Sequence, residues 1–199
     1  MYMDIQKINK LDLTRGLVFC YLACKRLFPN YVYFSEHYAY GEPQKLEAAM
    51  DFIYREMLHE EPDEERLHYL DKQVKLQMPN LRSQQNIYAE LAYLAATLIR
   101  YTLNMMKEKD TGYTINAMVL AFDSISVFVN HRDQNKWDLY SIEDEELTVK
   151  ESNLQAGIVD YLLLRDEIDL EDVDLLSQMQ SYNRKGLLDE QLELVAATA

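Results

Sequence analysis

Apolar side chains recur at steps of three and four residues along most of this chain, and that spacing predicts α-helices. One broad apolar stripe runs from about Leu11 to Phe28. A later segment, from about 83 to 107, is apolar on most of its faces, which is typical of a buried helix. The pattern therefore predicts an all-α fold, a compact bundle of about seven or eight helices with a long central helix near 83–107.

Prolines, glycines and capping residues divide this pattern into separate helices. Pro29 is expected to open a second helix at its first position, because a proline there loses no hydrogen bond, and Gly41 is expected to end it. Pro43 is expected to start a third helix. The other expected boundaries are a start at Asp63 or Glu64, a stop at Pro79, an N-cap at Ser83, a helix over about 115–130 capped by Thr114, a start at Ser141 or Asp144, and a last helix from Leu170 to Tyr182.

The segment 115–130 is the most ambiguous, because its runs VLAF and SVFV are rich in residues that also favour strands. Its length and the lack of a hairpin turn inside it favour a helix. The polar stretch 131–141 is interpreted as a loop, with Trp137 and Tyr140 as its anchors on the core.

Length and composition fit one domain. The chain has 199 residues, of which 48% are hydrophobic, so it is long enough to bury a substantial core. Its five glycines and four prolines are few, which favours long helices over a β fold with many turns. No internal repeat or change in composition marks a second domain. We expect a single helical domain over 1–185 and a C-terminal tail over 186–199, whose order the pattern leaves open.

The net charge is −14, and it is unevenly distributed. Residues 1–100 carry 12 basic and 14 acidic side chains, whereas residues 101–199 carry 8 basic and 20 acidic ones. Such a surface repels phosphate groups, so no nucleic-acid partner and no anionic membrane surface is expected. The longest apolar run, around 91–98, is too short to span a bilayer. An acidic surface can instead meet a basic protein partner.

Cys20 and Cys24 lie four residues apart in an apolar run. This spacing places both on one helix face, where free buried thiols are the usual outcome. Without a secretory signal or a disulfide framework, a reducing cytoplasm is the expected location.

The block R-L-F-P-N-Y-V-Y-F-S-E-H-Y-A-Y-G-E at residues 26–42 resembles the bacterial YjaG-like family, catalogued as domain of unknown function family 416. The family's hallmark is a P-N-Y segment after the first long helix, then an aromatic residue, then a glycine followed by an acidic residue. Here these are Pro29-Asn30-Tyr31, Phe34 and Gly41-Glu42. The resemblance implies an all-α, cytoplasmic bacterial protein. It implies no reaction, because the family has no established catalytic residues.

The same block holds the candidate ligand or interface residues, which are Tyr31, Tyr33, Glu36, His37, Tyr38 and Tyr40. Tyrosines can line a small-molecule pocket or a protein interface, and they can equally be packed core residues. Glu36 and His37 do not form a pair by themselves, since adjacent helical side chains diverge by about 100°. We expect Tyr31, Phe34 and Tyr38 to face inward, with the other candidates half exposed.

Two Glu-x-x-His units, Glu56 with His59 and Glu65 with His68, are weak candidates for a metal site. Twin units of this kind bind metal in ferritin-like bundles, but here they flank the acidic turn HEEPDEE, and chance pairs are common in a glutamate-rich chain. No glycine-rich phosphate loop, nucleophile elbow or H-E-x-x-H motif is present. No metal, cofactor or catalytic residue is therefore assigned.

The sequence favours a protein-binding or self-associating module over an enzyme. The contact would be the aromatic block 31–40 or the acidic helices near 143–151. The alternative is a small-molecule-binding protein, or an enzyme without a recognisable motif, with a tyrosine- and histidine-lined pocket around residues 31–40.

Overall fold

The computed structural model describes residues 5–132 and 146–180. Within these ranges the chain is helical and has no strand, so the predicted all-α fold is confirmed. The helices are α1 (Ile5–Ile8), α2 (Leu13–Tyr38), α3 (Pro43–Glu56), α4 (Glu64–Gln77), α5 (Ile87–Glu108), α6 (Tyr113–Arg132), α7 (Glu146–Leu164) and α8 (170–180).

The predicted central helix is α5, which packs against α2, α3, α4 and α6. Its small and aliphatic side chains are buried along nearly its whole length. The expected N-cap at Ser83 is wrong: the cap is Asn86, whose side chain accepts a hydrogen bond from the backbone N–H of Ala89 at 2.9 Å. Ser83 lies in the preceding turn, where its hydroxyl donates to the carbonyl of Asn80.

Pro29 does not open a new helix, because α2 runs unbroken from Leu13 to Tyr38 and Pro29 lies inside it. A proline inside a helix costs about 3 kcal/mol, because it removes one backbone hydrogen bond. Leu27, Tyr31 and Phe34 are buried on both sides of Pro29, and their burial offsets that cost. The helix also ends before Gly41, since Ala39 adopts the left-handed conformation and its N–H bonds to the carbonyl of Ser35.

The expected starts of α3 and α4 are confirmed. Pro43 is the first residue of α3. The side chain of Asp63 caps α4 by accepting a hydrogen bond from the N–H of Arg66 at 2.9 Å. The acidic segment between these helices is exposed at Glu60 and Glu61.

The ambiguous segment forms a helix, α6, as expected, but it begins at Tyr113 and ends at Arg132. Thr114 lies inside the helix and is buried, so it is not the cap. His131 and Arg132, expected in a loop, form the last turn. Among the described residues, α6 alone is long and apolar enough to cross a membrane, although 44% of the apolar window is buried in the fold. A core helix passes the same test, so this is weak evidence for a membrane span.

Helix α7 packs against α2 and α6. Arg15 donates to the carbonyl of Leu162, in the last turn of α7, and to the carbonyl of Asp166 just beyond the helix, both at 2.9 Å. The first of these bonds satisfies a carbonyl that has no partner within α7. The expected starts at Ser141 or Asp144, the anchors Trp137 and Tyr140, the end of α8 at Tyr182 and the tail 186–199 lie outside the described residues. The single domain over 1–185 stays a prediction.

Candidate functional site

The aromatic block occupies the last turns of α2 and the connection to α3, and two of its tyrosines hold the end of α4. The Tyr31 hydroxyl donates to the carbonyl of Gln77 at 2.8 Å, and the Tyr40 hydroxyl donates to the carbonyl of Met78 at 2.9 Å. The last carbonyls of a helix lack partners within it, so both bonds satisfy groups that would otherwise be unpaired. Burial raises the pKa of Tyr31, which keeps its hydroxyl protonated as a donor.

Gly41 and Glu42 complete this contact. The backbone N–H of Glu42 donates to the side-chain oxygen of Gln77 at 2.9 Å. Gly41 has a φ of 68°, and a Cβ there would lie 2.3 Å from the Tyr31 hydroxyl oxygen, so no larger residue fits without movement. We call Tyr31, Tyr40, Gly41 and Glu42 the α4 clasp. Packing thus accounts for Tyr31 and Gly41 in the block, whereas Glu42 takes part in this contact through its backbone.

The other aromatic residues of the block form a surface with a ring from α5. The Tyr33 and His37 rings stack at 3.8 Å, and the Tyr88 ring centroid lies 5.2 Å from that of Tyr33 and 6.2 Å from that of Tyr38. We call Tyr33, His37, Tyr38 and Tyr88 the aromatic surface. Sequence reasoning missed Tyr88, because nothing in the spacing of α5 connects it to a segment about fifty residues earlier.

Tyr38 was expected to face inward, and the structure contradicts this. It is 46% exposed. As the last residue of α2, it lies beyond the edge of the core, and its ring stacks on Phe34 at 5.0 Å instead of being covered. Tyr31 and Phe34 are fully buried, as expected.

The structure forms no acid–base pair from Glu36 and His37. The Nδ1 atom of His37 lies 2.9 Å from the Tyr33 carbonyl, which can only accept, so Nδ1 carries the proton and donates. Glu36 is exposed. The histidine is therefore held by the backbone and ring of Tyr33, which leaves Nε2 as its remaining polar atom.

The two Glu-x-x-His units do not form a metal-binding cluster in the described residues. His59 lies 3.2 Å from the Glu56 carboxylate at an exposed position, and Glu65 and His68 are exposed on α4. Within residues 5–132 and 146–180, no three His, Cys, Asp or Glu side chains are grouped closely enough to bind an ion.

Both thiols are buried, as the sequence predicts. The Cys24 sulfur lies 3.3 Å from the Thr102 hydroxyl, and burial raises the pKa of Cys24 to about 12. Burial likewise raises the pKa of Cys20. Neither thiol supplies a thiolate at neutral pH.

A buried polar network that sequence reasoning missed joins α2, α7 and α8. Arg26 donates to the Glu151 carboxylate at 2.8 Å, and Gln155 donates to the same oxygen at 2.6 Å. With its amide turned to satisfy both neighbours, Gln180 donates to the Leu22 carbonyl and accepts from Arg26 at 3.2 Å. The sequence held one signal for this network: Glu151 and Gln155 are four residues apart, at positions on the apolar face of α7. Glu151 is 3% exposed, so it cannot belong to an acidic contact surface at 143–151.

The comparisons with known proteins agree with the resemblance carried by residues 26–42. A family model described as "Protein of unknown function (DUF416)" matches residues 4–185. No curated protein matches the chain. The fold is similar to the crystal structure of a DUF416 family protein from Shewanella baltica OS155, with a TM-score of 0.79 and 18% identity over 87% of this chain and 90% of that chain. At this identity the likeness shows the fold alone. The expected family is confirmed, and the chain belongs to the DUF416 family of proteins of unknown function.

Proposed function

We propose that this protein acts by binding another protein chain, and that the aromatic surface is the contact. The observation that carries the proposal is a set of rings that are ordered against one another while Tyr38 remains 46% exposed. Tyrosine gives a large contact area and loses little conformational entropy on binding, and aromatic residues are enriched in the cores of interfaces. Because the rings already pack against one another, ordering them adds little to the free-energy cost of association.

The charge of the chain favours a basic partner. The net charge of −14 makes two copies repel each other at long range, whereas it attracts a cationic chain. Glu36, which is exposed, lies in the same segment as the aromatic surface, and the exposed Glu42 beside it already pairs with Lys45. Arginine and lysine side chains can pack on tyrosine rings while pairing with such carboxylates. Self-association, in which the partner is a second copy of this chain, is the alternative form of this proposal.

The proposal also includes a cytoplasmic location, which is consistent with the two buried free thiols.

A small-molecule pocket around residues 31–40 has less support. The hydroxyls of Tyr31 and Tyr40 are already bonded within the fold, so they are not free to bind a ligand. The proposal therefore assigns no catalytic residue to this block.

The test compares partner binding by three immobilised forms of the full chain. These are the wild type, the double variant Tyr33→Ala/Tyr38→Ala, and Tyr69→Ala, a control that removes a tyrosine on α4 whose exposure is close to that of Tyr38. A partner retained by the wild type and the control but lost by the double variant supports the proposal. Retention of every partner by all three forms contradicts it.

Light scattering over a concentration series, on the same three forms, tests self-association. A dimer that the double variant alone loses would identify the partner as a second copy.

A further inference from the structure

A cleft of about 560 Å³ lies where the start of α5 meets the end of α6. This volume is within the usual range for small-molecule sites. None of the aromatic-surface residues lines the cleft, so it is separate from the proposed protein contact. The residues that line it are Leu81, Gln84, Gln85, Asn86, Ile87, Glu90, Val127, Asn130 and His131.

Two side-chain oxygens in this lining are buried and have no hydrogen-bond partner, namely Oε1 of Gln84 and Oδ1 of Asn130. A buried acceptor without a partner is unfavourable for the folded state, and a ligand that donates a hydrogen bond relieves this. The terminal torsion of a carboxamide is soft, so each oxygen can turn toward the cleft. Two acceptors of this kind at one cleft indicate a ligand that carries several N–H donors.

The charge in the lining favours a cation. Glu90 contributes an exposed carboxylate, and among the described residues no cation pairs with it. The lining contains no lysine or arginine, and His131 is the only basic side chain among its residues. The oxygen of Asn86 is already used to cap α5. Leu81, Ile87 and Val127 are half buried and give the cleft apolar walls. Carboxylate, carboxamide oxygens and apolar walls together match an organic ammonium ion with a hydrocarbon chain.

We propose that this cleft binds a small organic ammonium ion, with Glu90 as its counter-charge, Gln84 and Asn130 as hydrogen-bond acceptors, and the three aliphatic side chains around its hydrocarbon part. The proposal is independent of the protein-binding function, because it uses different residues at a different place in the fold.

The test titrates the isotopically labelled full chain with n-butylammonium and follows its amide resonances by NMR. Sodium pentanoate and 1-butanol are the matched probes, since they have the same four-carbon hydrocarbon chain but no positive charge. We expect saturable shifts for residues 84–90 and 127–131 with n-butylammonium alone. Equal shifts with all three probes, or no saturable shift at millimolar concentrations, overturn the proposal.

Two variants make the test specific. Glu90→Gln should weaken n-butylammonium binding about tenfold or more, because it removes a charge-assisted hydrogen bond, whereas Glu47→Gln, on exposed α3 surface, should leave it unchanged. Asn130→Leu should weaken binding while leaving the unfolding midpoint unchanged or higher, since it removes an unpaired buried acceptor. If n-butylammonium binds Glu90→Gln and Asn130→Leu as tightly as the wild type, the cleft is not the site.

Discussion

Replacing Tyr31 by phenylalanine should destabilise the fold, although phenylalanine fills almost the same space. The ring is fully buried, so its packing is kept and only the hydroxyl is lost. That hydroxyl donates to the Gln77 carbonyl at 2.8 Å in a buried environment. Losing one such bond and leaving the carbonyl without a partner lowers the free energy of unfolding by about 1–2 kcal/mol. For a chain of this length the unfolding temperature then falls by about 2–8 °C.

The assay is urea unfolding followed by circular dichroism at neutral pH, with thermal unfolding beside it. The control is Tyr69→Phe on α4, where the tyrosine is 50% exposed and the expected change is within about 0.5 kcal/mol. The urea dependence should be the same in all forms, because the surface exposed on unfolding does not change. If Tyr31→Phe is as stable as the control, the hydroxyl does not anchor α4 and the reasoning is refuted.

Three further changes test other parts of the fold by the same unfolding assay. Gly41→Ala should lower the free energy of unfolding by about 2–3 kcal/mol, because alanine is strained in the left-handed conformation and its Cβ clashes with the Tyr31 hydroxyl. Part of that cost should disappear in a Tyr31→Phe background, where the clashing oxygen is gone. If the two changes are fully additive, the clash is contradicted. Gly157→Ala should raise stability by about 0.5–1 kcal/mol, because its Cβ would point into open space on a helix, and a loss would show a contact there. Glu151→Leu should cost about 3–5 kcal/mol, because it leaves the buried Arg26 without its counter-charge, and the double variant with Arg26→Met should recover much of this. No recovery would show that the ion pair is not the cause.

The helices were predictable because each one carries its own local signal. The three- and four-residue spacing indicated the bundle and its central helix, and Pro43 and Asp63 marked the starts of α3 and α4 correctly. The prediction that a helix starts at Pro29 failed because the burial of residues on both sides offsets the cost of a proline inside a helix. This is a tertiary effect, and local sequence signals do not contain it. Ser83 misled because Asn86, three residues later, is an equally good cap and is the one used.

The candidate site was predictable only in its general location. The aromatic block drew attention to the right segment, but the division of its residues depends on contacts across the fold. Tyr31 reaches a carbonyl 46 positions away, and Tyr33 meets Tyr88 on another helix. Helical spacing fixes which residues share a face of one helix, and it does not tell which other helix that face meets. The pairing of Arg26 with Glu151 was hidden for the same reason.

The central claim is that the aromatic block has two parts, with Tyr31 in a clasp that stabilises the fold and Tyr33 and Tyr38 on a surface that binds. The most direct test is one binding isotherm of the captured partner, measured on the wild type, Tyr31→Phe and Tyr33→Ala/Tyr38→Ala, under conditions where all three are folded. We predict that Tyr31→Phe, although less stable, binds as the wild type does, while the double variant stays folded and loses at least about tenfold in affinity. Equal affinity for all three, or weaker binding by Tyr31→Phe than by the double variant, would contradict the account.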